Sequence, residues 1–279
     1  VKYSSKKIHS FGKVFGGKNR YSRQYISLFP AVDRYPTYVE PFAGGAGILM
    51  NKERSGSEII SDIDPMIYNV LKCLKEKGSH IINVIENKYY DYSMESFKSA
   101  KLALECLPKI NSFNRVEYAA AYIAANRMSR SGLFRDFAES NRLRGGQMGD
   151  KNAWENYINR EIHLTIERLQ WVKILNECAF VTIEELSNKS TLFYLDPPYM
   201  HETRVTKSAY THEFSDEDHF RLLKLITRVP GKLFISGYDT ELYRLLLKGW
   251  TVHSFNRPSD SGQTKVKARR KELVWESPD

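Results

Sequence analysis

Cysteine is scarce in this 279-residue chain: Cys73, Cys106 and Cys178 are odd in number, widely spaced and set among apolar neighbours. That pattern speaks against a disulfide framework or a zinc site and fits a reducing cytosol. No apolar run approaches the roughly 18 residues needed to span a bilayer. The first residues, VKYSSKKIHSFGKVFGG, lack the continuous apolar core of a signal peptide. No internal repeat and no low-complexity linker interrupts the chain, which excludes a repeat array. A GxGxxG fingerprint is missing, as is the Lys-Ser/Thr of a phosphate loop, so neither device for holding a nucleoside diphosphate is present. Acid is also in short supply, with 33 Asp and Glu against 42 Lys and Arg, a formal net charge of +9.

The basic excess is unevenly spread. From Arg127 to Arg144 there are five arginines, 127, 130, 135, 142 and 144, against Asp136 and Glu139. The stretch 265–271 adds Lys265, Lys267, Arg269, Arg270 and Lys271 with no acid among them, and the head adds Lys2, Lys6, Lys7, Lys13, Lys18, Arg20 and Arg23. Three such stretches suit a phosphate backbone if the fold brings them together, and are ordinary solvated surface if it does not.

The most telling residues are Leu192-Phe193-Tyr194-Leu195-Asp196-Pro197-Pro198-Tyr199. Thr191 to Leu195 has the length and composition of a buried strand. The two prolines then block further ladder pairing and fix consecutive φ angles near −65°, while Asp196, being pre-proline, is held extended. The expected product is a stiff elbow at the carboxyl end of a strand, where open α/β sheets place their ligands. It offers a carboxylate, a backbone carbonyl and a flat ring, which together suit the edge and face of a planar, amine-bearing base.

Along the chain, Thr37–Glu40 reads as a short strand, followed by a loop carrying Gly44, Gly45 and Gly47, then a helix starting over Ile48–Glu53. Glu58–Ser61 reads as a second strand, and Ile67, Val70, Leu71 and Leu74 recur at helical spacing after Asp64-Pro65. This is a βαβ beginning. Residues 79–176 read as mostly helical, with one helix around Tyr118–Met128 and another over Tyr157–Leu175. Between them, 129–152 is an aperiodic stretch long enough to suggest function. Strands are expected again at Ala179–Ile183, Thr191–Leu195, Lys232–Ser236, Thr251–Phe255 and Glu272–Glu276, with helices near Asp216–Thr227 and after Ser236. The fold class is therefore α/β, a parallel sheet interrupted by a helical insertion.

Glu40-Pro41-Phe42-Ala43-Gly44-Gly45-Ala46-Gly47 follows the first strand, and its glycines permit positive φ and close approach of a ligand. Asp62, 18 residues beyond Gly44 at the end of the second strand, can accept from both hydroxyls of a ribose. Asp64 competes for that role, but its place before Pro65 suits a turn. A glycine turn, a ribose acid and no diphosphate device together suit S-adenosyl-L-methionine.

Four segments, in this order, resemble the Dam-like (D12 class, alpha group) DNA N6-adenine methyltransferases. They are Lys13-Val14-Phe15-Gly16-Gly17-Lys18, Glu40-Pro41-Phe42-Ala43-Gly44-Gly45, Ser61-Asp62-Ile63-Asp64 and Asp196-Pro197-Pro198-Tyr199, and they span nearly the whole chain. The resemblance implies a Rossmann-like methyltransferase sheet, mostly parallel with an antiparallel C-terminal strand, plus a helical DNA-recognition insert. Residues 1–78 and 177–279 would form the S-adenosylmethionine-binding catalytic domain and 79–176 the insert. Cofactor contacts are implied for Val14, Phe15, Lys18, Phe42, Gly44, Gly45 and Asp62, and Phe180 would stack on the cofactor adenine. Val14 stands where some relatives carry tryptophan. Asp196, Pro197, Pro198 and Tyr199 would form the catalytic motif, with Asp196 and the Pro197 carbonyl accepting the two N–H bonds of the target amine. Because the donor is an activated sulfonium, no metal is required. An adenine inside a duplex is out of reach, so the target must flip out, and Tyr199 would stack on it.

Within the insert, Asn126–Arg135 resembles the family's DNA-reading hairpin. DNA contacts are implied for Arg127, Arg130, Ser131, Arg135, Arg142 and Arg144, with Arg135 matching an arginine that reads guanine. Arg130 and Ser131 replace the tyrosine and asparagine of GATC-specific relatives, which argues against GATC as the site. The polar loop from Thr203 to Glu213 is a candidate lid over the flipped base. The implied partner is double-stranded DNA, with no membrane; the protein would be a monomer or weak dimer in a bacterial or phage-infected cytoplasm, and a restriction endonuclease partner is left open. Two rivals stand beside this reading: N4 methylation of cytosine by the same geometry, and a DNA-binding protein that has lost turnover.

Overall fold

Every residue of Thr191–Leu195 is buried, and the seven-stranded sheet of this computed structural model is built around that strand. The structure describes residues 7–13, 16–106, 109–139, 143–144, 147–203, 212–256 and 271–279. In chain order the strands are β1 (Thr37–Glu40), β2 (Ser57–Ser61), β3 (Leu143–Arg144), β4 (Gln147–Met148), β5 (Val172–Leu175), β6 (Thr191–Leu195), β7 (Lys232–Tyr238), β8 (Thr251–Asn256) and β9 (Lys271–Glu276). The helices are α1 (Ser22–Ile26), α2 (Pro65–Lys88), α3 (Met94–Cys106), α4 (Arg115–Met128), α5 (Gly149–Asn156), α6 (Ile162–Leu169), α7 (Ala179–Leu186), α8 (Asp216–Ile226) and α9 (Glu241–Leu246). The main sheet runs β5-β2-β1-β6-β7-β9-β8. Strands β2, β1, β6 and β7 pair in parallel, and β9 runs antiparallel to both β7 and β8. The expected α/β class, with its antiparallel C-terminal strand, is what the chain adopts.

The chain folds as two units. One comprises Pro30–Ala43, Ser55–Ile63 and Glu177–Asp279. Its core is the sheet's apolar centre, where Val39, Ile60, Phe193, Leu195, Phe234 and Ile235 are fully enclosed. The other comprises Val1–Phe29, Gly44–Arg54 and Asp64–Asn176 and is mostly helical. There α4 presents Ala119, Ala120, Ala121, Ala124 and Ala125, all completely buried, small residues that let neighbouring helices approach closely. Helix α2 starts on Asp64, whose carboxylate accepts from the Met66 amide at 2.8 Å, with Pro65 at the first helical position. It kinks at Lys77 (φ −135°, ψ 27°). At the next residue, Gly78, a Cβ would lie 2.6 Å from Ile166, so glycine allows α6 to pack against the bend.

Three sequence expectations differ from the structure. Ala179–Ile183 is the start of helix α7 rather than a strand: Ala179, Thr182 and Ile183 are buried while Val181 is 42% exposed, a 3–4 spacing that overrides the β-prone composition. The single helix expected over Tyr157–Leu175 is a π-helical turn (Tyr157–Glu161), then α6, then strand β5, whose burial alternates. Ile48–Glu53 forms turns instead of a helix, because Asn51 turns its side chain onto the Ile8 backbone (3.1 and 3.0 Å) and the Gly47 carbonyl (3.0 Å).

Candidate active site

The strand order reverses at the β1–β6 pair: from β1 the chain moves outward to β2, and β6 enters on β1's other side. Open α/β sheets bind ligands at the carboxyl edge of such a switch point. Asp196 follows β6 there, Pro41-Phe42 follows β1 and Asp62 follows β2.

Asp196 is half-buried, and its Oδ1 accepts the Ser236 hydroxyl at 2.6 Å. Ser236, completely buried on β7, also lies 3.4 Å from the Tyr194 hydroxyl. The carboxylate therefore cannot swing freely. Tyr199 is 8% exposed. Its hydroxyl donates to Oε1 of Glu272 on β9, and its ring meets Tyr238 edge-on with centroids 4.8 Å apart. Burial, and then the nearby charge of Asp196, push the Tyr243 hydroxyl far up from its ordinary value. Tyr243 stays a neutral phenol, bonded to Nδ1 of the buried His219 at 3.0 Å.

The strand ends are tied together. Ser61, the last residue of β2, accepts the Ala43 amide on its carbonyl at 2.9 Å. Its hydroxyl donates to the Glu177 carbonyl at 3.0 Å and accepts the Glu177 amide at 3.2 Å. These bonds fix the backbone just before Asp62, which is half-exposed. Asp64 is engaged in capping α2. Glu40 is buried and accepts the Tyr38 hydroxyl at 2.7 Å, which burial and then the Glu40 charge hold well above the usual tyrosine value.

Phe42 and Phe180 meet through a third ring that sequence reasoning passed over. Phe214 is edge-on to Phe42 (5.6 Å, 90°) and stacked with Phe180 (6.0 Å, 16°). The Arg221 guanidinium lies 4.8 Å from the centre of the Phe180 ring. The signal was there: Ser215 and Asp218 form a capping box at the start of α8. Phe214, just before the cap, packs on His219 at 4.9 Å as a hydrophobic staple.

In the helical unit, the segment ending in Lys18 meets the glycine loop. A Cβ on Gly47 would lie 2.7 Å from the Asn19 amide, so only glycine allows that approach. Gly44 (φ 46°) and Ala46 (φ 51°) turn the loop through the left-handed region. Lys18 is buried and its ammonium donates to the Gly16 carbonyl at 2.9 Å. Val14 and Phe15 lie outside the described residues.

The same unit carries the arginine-rich segment. Ser129 pairs with Phe137 in an antiparallel bridge, and the Arg130 amide donates to the Asp136 carbonyl at 2.8 Å. The ribbon is anchored by Phe134 on Tyr122 (5.0 Å) and by Phe137 on Tyr92 and Phe97 (5.0 and 5.9 Å). Arg130 and Arg135 are exposed on it. Arg127 is placed differently: its guanidinium donates to the Ser10 and Phe11 carbonyls (2.5 and 2.8 Å) and stacks on Tyr157, 3.3 Å from the ring centre. Asn126 accepts the Lys13 amide at 2.6 Å and donates to the Lys13 and Gly132 carbonyls. Arg142, the loop 204–211 and residues 257–270 lie outside the described residues, as do the side chains of Ser131 and Arg144.

Among the described residues no group of three or more His, Cys, Asp or Glu side chains could hold a metal ion, and no helix is long and apolar enough to cross a membrane.

The fold is an α/β sheet with a carboxylate, Asp196, at the carboxyl end of its central strand. Residues 15–265 match the family of D12 class N6 adenine-specific DNA methyltransferases, and the chain belongs to that family. It is thereby an adenine-specific DNA methyltransferase that uses S-adenosylmethionine as its methyl donor. No curated protein matches it in sequence. Among solved structures it is similar to the rRNA methyltransferase aviRa from Streptomyces viridochromogenes. That likeness has 10% identity and a TM-score of 0.34, over 92% of this chain and 83% of that one.

Proposed function

We propose that the chain methylates N6 of an adenine flipped out of double-stranded DNA, within a short recognition sequence, and that Asp196-Pro197-Pro198-Tyr199 is its catalytic motif. The observation that carries this reading is the Asp196 carboxylate at the carboxyl end of the central strand, held in place by Ser236 at 2.6 Å.

The residues present fit the donor. Asp62 offers a half-exposed carboxylate for the ribose, since Asp64 is taken by the helix cap. Phe42 and Phe180 offer aromatic surface for the adenine, and the left-handed turns at Gly44 and Ala46 keep side chains from crowding the loop that Gly45 shares. Lys18 is assigned to the same cofactor on the family resemblance alone. Bound S-adenosylmethionine would supply a methyl group already activated on a sulfonium.

The protein's task is orientation. An adenine amine is a poor nucleophile because its lone pair is delocalised into the ring. Acceptors at Asp196 and at the Pro197 carbonyl would draw the two N–H bonds out of the ring plane and expose the lone pair. Pro198 stiffens the elbow that holds both acceptors, and Tyr199 supplies a face for the base, worth about 1–3 kcal/mol. Positioning of this kind accounts for much of a transfer rate.

Residues 79–176 serve target recognition, and 1–78 with 177–279 the transfer chemistry. Arg130, Ser131 and Arg135 read or grip the duplex, with Arg142 and Arg144 on the phosphates. Arg127 acts at one remove, ordering the segment next to Lys13.

Transfer of labelled methyl groups to DNA by wild type and Asp196→Ala tests the reading. Wild type should transfer, and Asp196→Ala should bind DNA but transfer nothing. Wild-type turnover in Asp196→Ala sinks the mechanism.

A further inference from the structure

Glu272 is a carboxylate at 1% exposure in the interior of the sheet, in a place where a leucine or methionine would avoid the several kcal/mol that desolvating a charge costs. It lies on β9 directly opposite Tyr238 of β7, and these two cross-strand partners hold the same ring. Tyr238 meets the Tyr199 ring edge-on at 4.8 Å and 76°, and Glu272 takes the Tyr199 hydroxyl. A tyrosine ring has two torsions. The contact at its edge restrains one and the hydrogen bond at its tip the other.

We propose that Glu272 is a positioning residue for methyl transfer: by holding the Tyr199 hydroxyl it sets the tilt at which that ring meets the target base. The inference rests on the reading of Tyr199 as the face that receives the base. A buried polar pair of this kind fixes one arrangement where an apolar pair would allow several. Stacking energy depends on the two rings being parallel and offset. A ring that can tilt toward the room left by a lost bond receives the base in many orientations, only some of which put the amine on Asp196. The loss therefore falls on the transfer step and spares cofactor binding.

Single-turnover methyl transfer to DNA, with S-adenosylmethionine affinity measured by calorimetry, tests this on Tyr199→Phe, Glu272→Leu, Glu272→Gln and the Tyr199→Phe/Glu272→Leu double variant. Tyr199→Phe and Glu272→Leu should each slow transfer by about tenfold, equivalent to one good hydrogen bond. The double variant should be no slower than either alone, because both remove the same bond. Glu272→Gln, whose amide oxygen can still accept, should recover most of the rate, and cofactor affinity should stay within about twofold throughout. If Glu272→Leu fails to fold, Tyr199→Phe and Glu272→Gln test the same bond from each side. Wild-type rates in Tyr199→Phe, additive losses in the double variant, or cofactor affinity falling in step with the rate would overturn the proposal while leaving the functional reading intact. A wild-type protein that transfers no methyl group to DNA overturns both.

Discussion

Ser236 donates its hydroxyl to Oδ1 of Asp196 at 2.6 Å, from a completely buried position on the neighbouring strand. The Leu195 carbonyl is a second acceptor at 3.3 Å, so the proton goes to the closer, charged oxygen. The bond limits the orientations that the carboxylate can take. Ser236→Ala should lower kcat by about tenfold, the value of one oriented hydrogen bond. S-adenosylmethionine affinity should change by less than about twofold. A rise in cofactor Kd with kcat untouched would show that Ser236 serves a different site.

The arginines of the insert divide by their surroundings. Arg135 is exposed on the anchored ribbon, so Arg135→Ala should cost about 1–3 kcal/mol in binding the preferred DNA sequence and leave thermal stability unchanged. Arg127 spans the Ser10 and Phe11 carbonyls and the Tyr157 ring. Burial depresses its pKa, a cost that the Glu161 charge only partly offsets. Arg127→Ala should lower stability by about 2 kcal/mol or more through stranded acceptors and lost packing. Fluorescence anisotropy on labelled duplexes and thermal melts separate the two outcomes.

Gly132 and Gly249 both occupy the left-handed region, at φ 74° and 91°, but a Cβ on Gly132 would fall 1.9 Å from the Lys13 carbonyl oxygen, and one on Gly249 would meet nothing within 4 Å. Gly249→Ala should cost about 1 kcal/mol, from backbone strain alone. Gly132→Ala should cost about 3 kcal/mol or more, since the clash adds a steric penalty to that strain. It should also release the Asn126 contacts to Lys13 and so weaken cofactor binding. Denaturant titration of the two variants side by side checks the ratio.

The end of the chain is pinned by Lys232, whose ammonium lies 3.0 Å from Glu276 and 3.0 Å from Asp279 and donates to the Ser277 carbonyl at 2.7 Å. Burial opposes its charge, but the bonds to Asp279 and Glu276 prevail and raise its pKa above the ordinary 10.5. A raised pKa means the native state keeps a proton that the unfolded chain gives up. The contribution is therefore complete below pH 10.5 and is lost as pH climbs through the folded value. Lys232→Met should be less stable than wild type at pH 7 by about 2–3 kcal/mol, between the values of exposed and fully buried pairs. That gap should close at alkaline pH. Asp279, whose pKa the bond to Lys232 lowers, should narrow the gap again as pH falls below 3.8.

Much of this was legible in the sequence where one local rule governed. The strand Thr191–Leu195 and its proline stop read correctly to the residue, because a continuous apolar run ends at a proline pair that cannot be extended. The helix after Asp64-Pro65, read from its apolar spacing, and the helix near Asp216 were equally legible. Residues 179–183 did not, since Phe180, Val181, Thr182 and Ile183 are β-prone in composition and only tertiary burial reveals their helical spacing. Ser236, Glu272 and Phe214 escaped notice for a different reason. Ser236 and Glu272 act on residues 40 and 73 positions away, and strand pairing alone creates that closeness. Phe214 belonged to a capping signal that reads as structure, and its contacts with Phe42 and Phe180 appear only in three dimensions.

The most direct measurement is nucleoside mass spectrometry of unmethylated, mixed-sequence DNA after incubation with the protein and S-adenosylmethionine. N6-methyladenine is expected in the wild-type reaction and none with Asp196→Ala. N4-methylcytosine instead would contradict the assignment of the base, and no modified nucleoside at all, with DNA still bound, would contradict the assignment of the chain as an active methyltransferase.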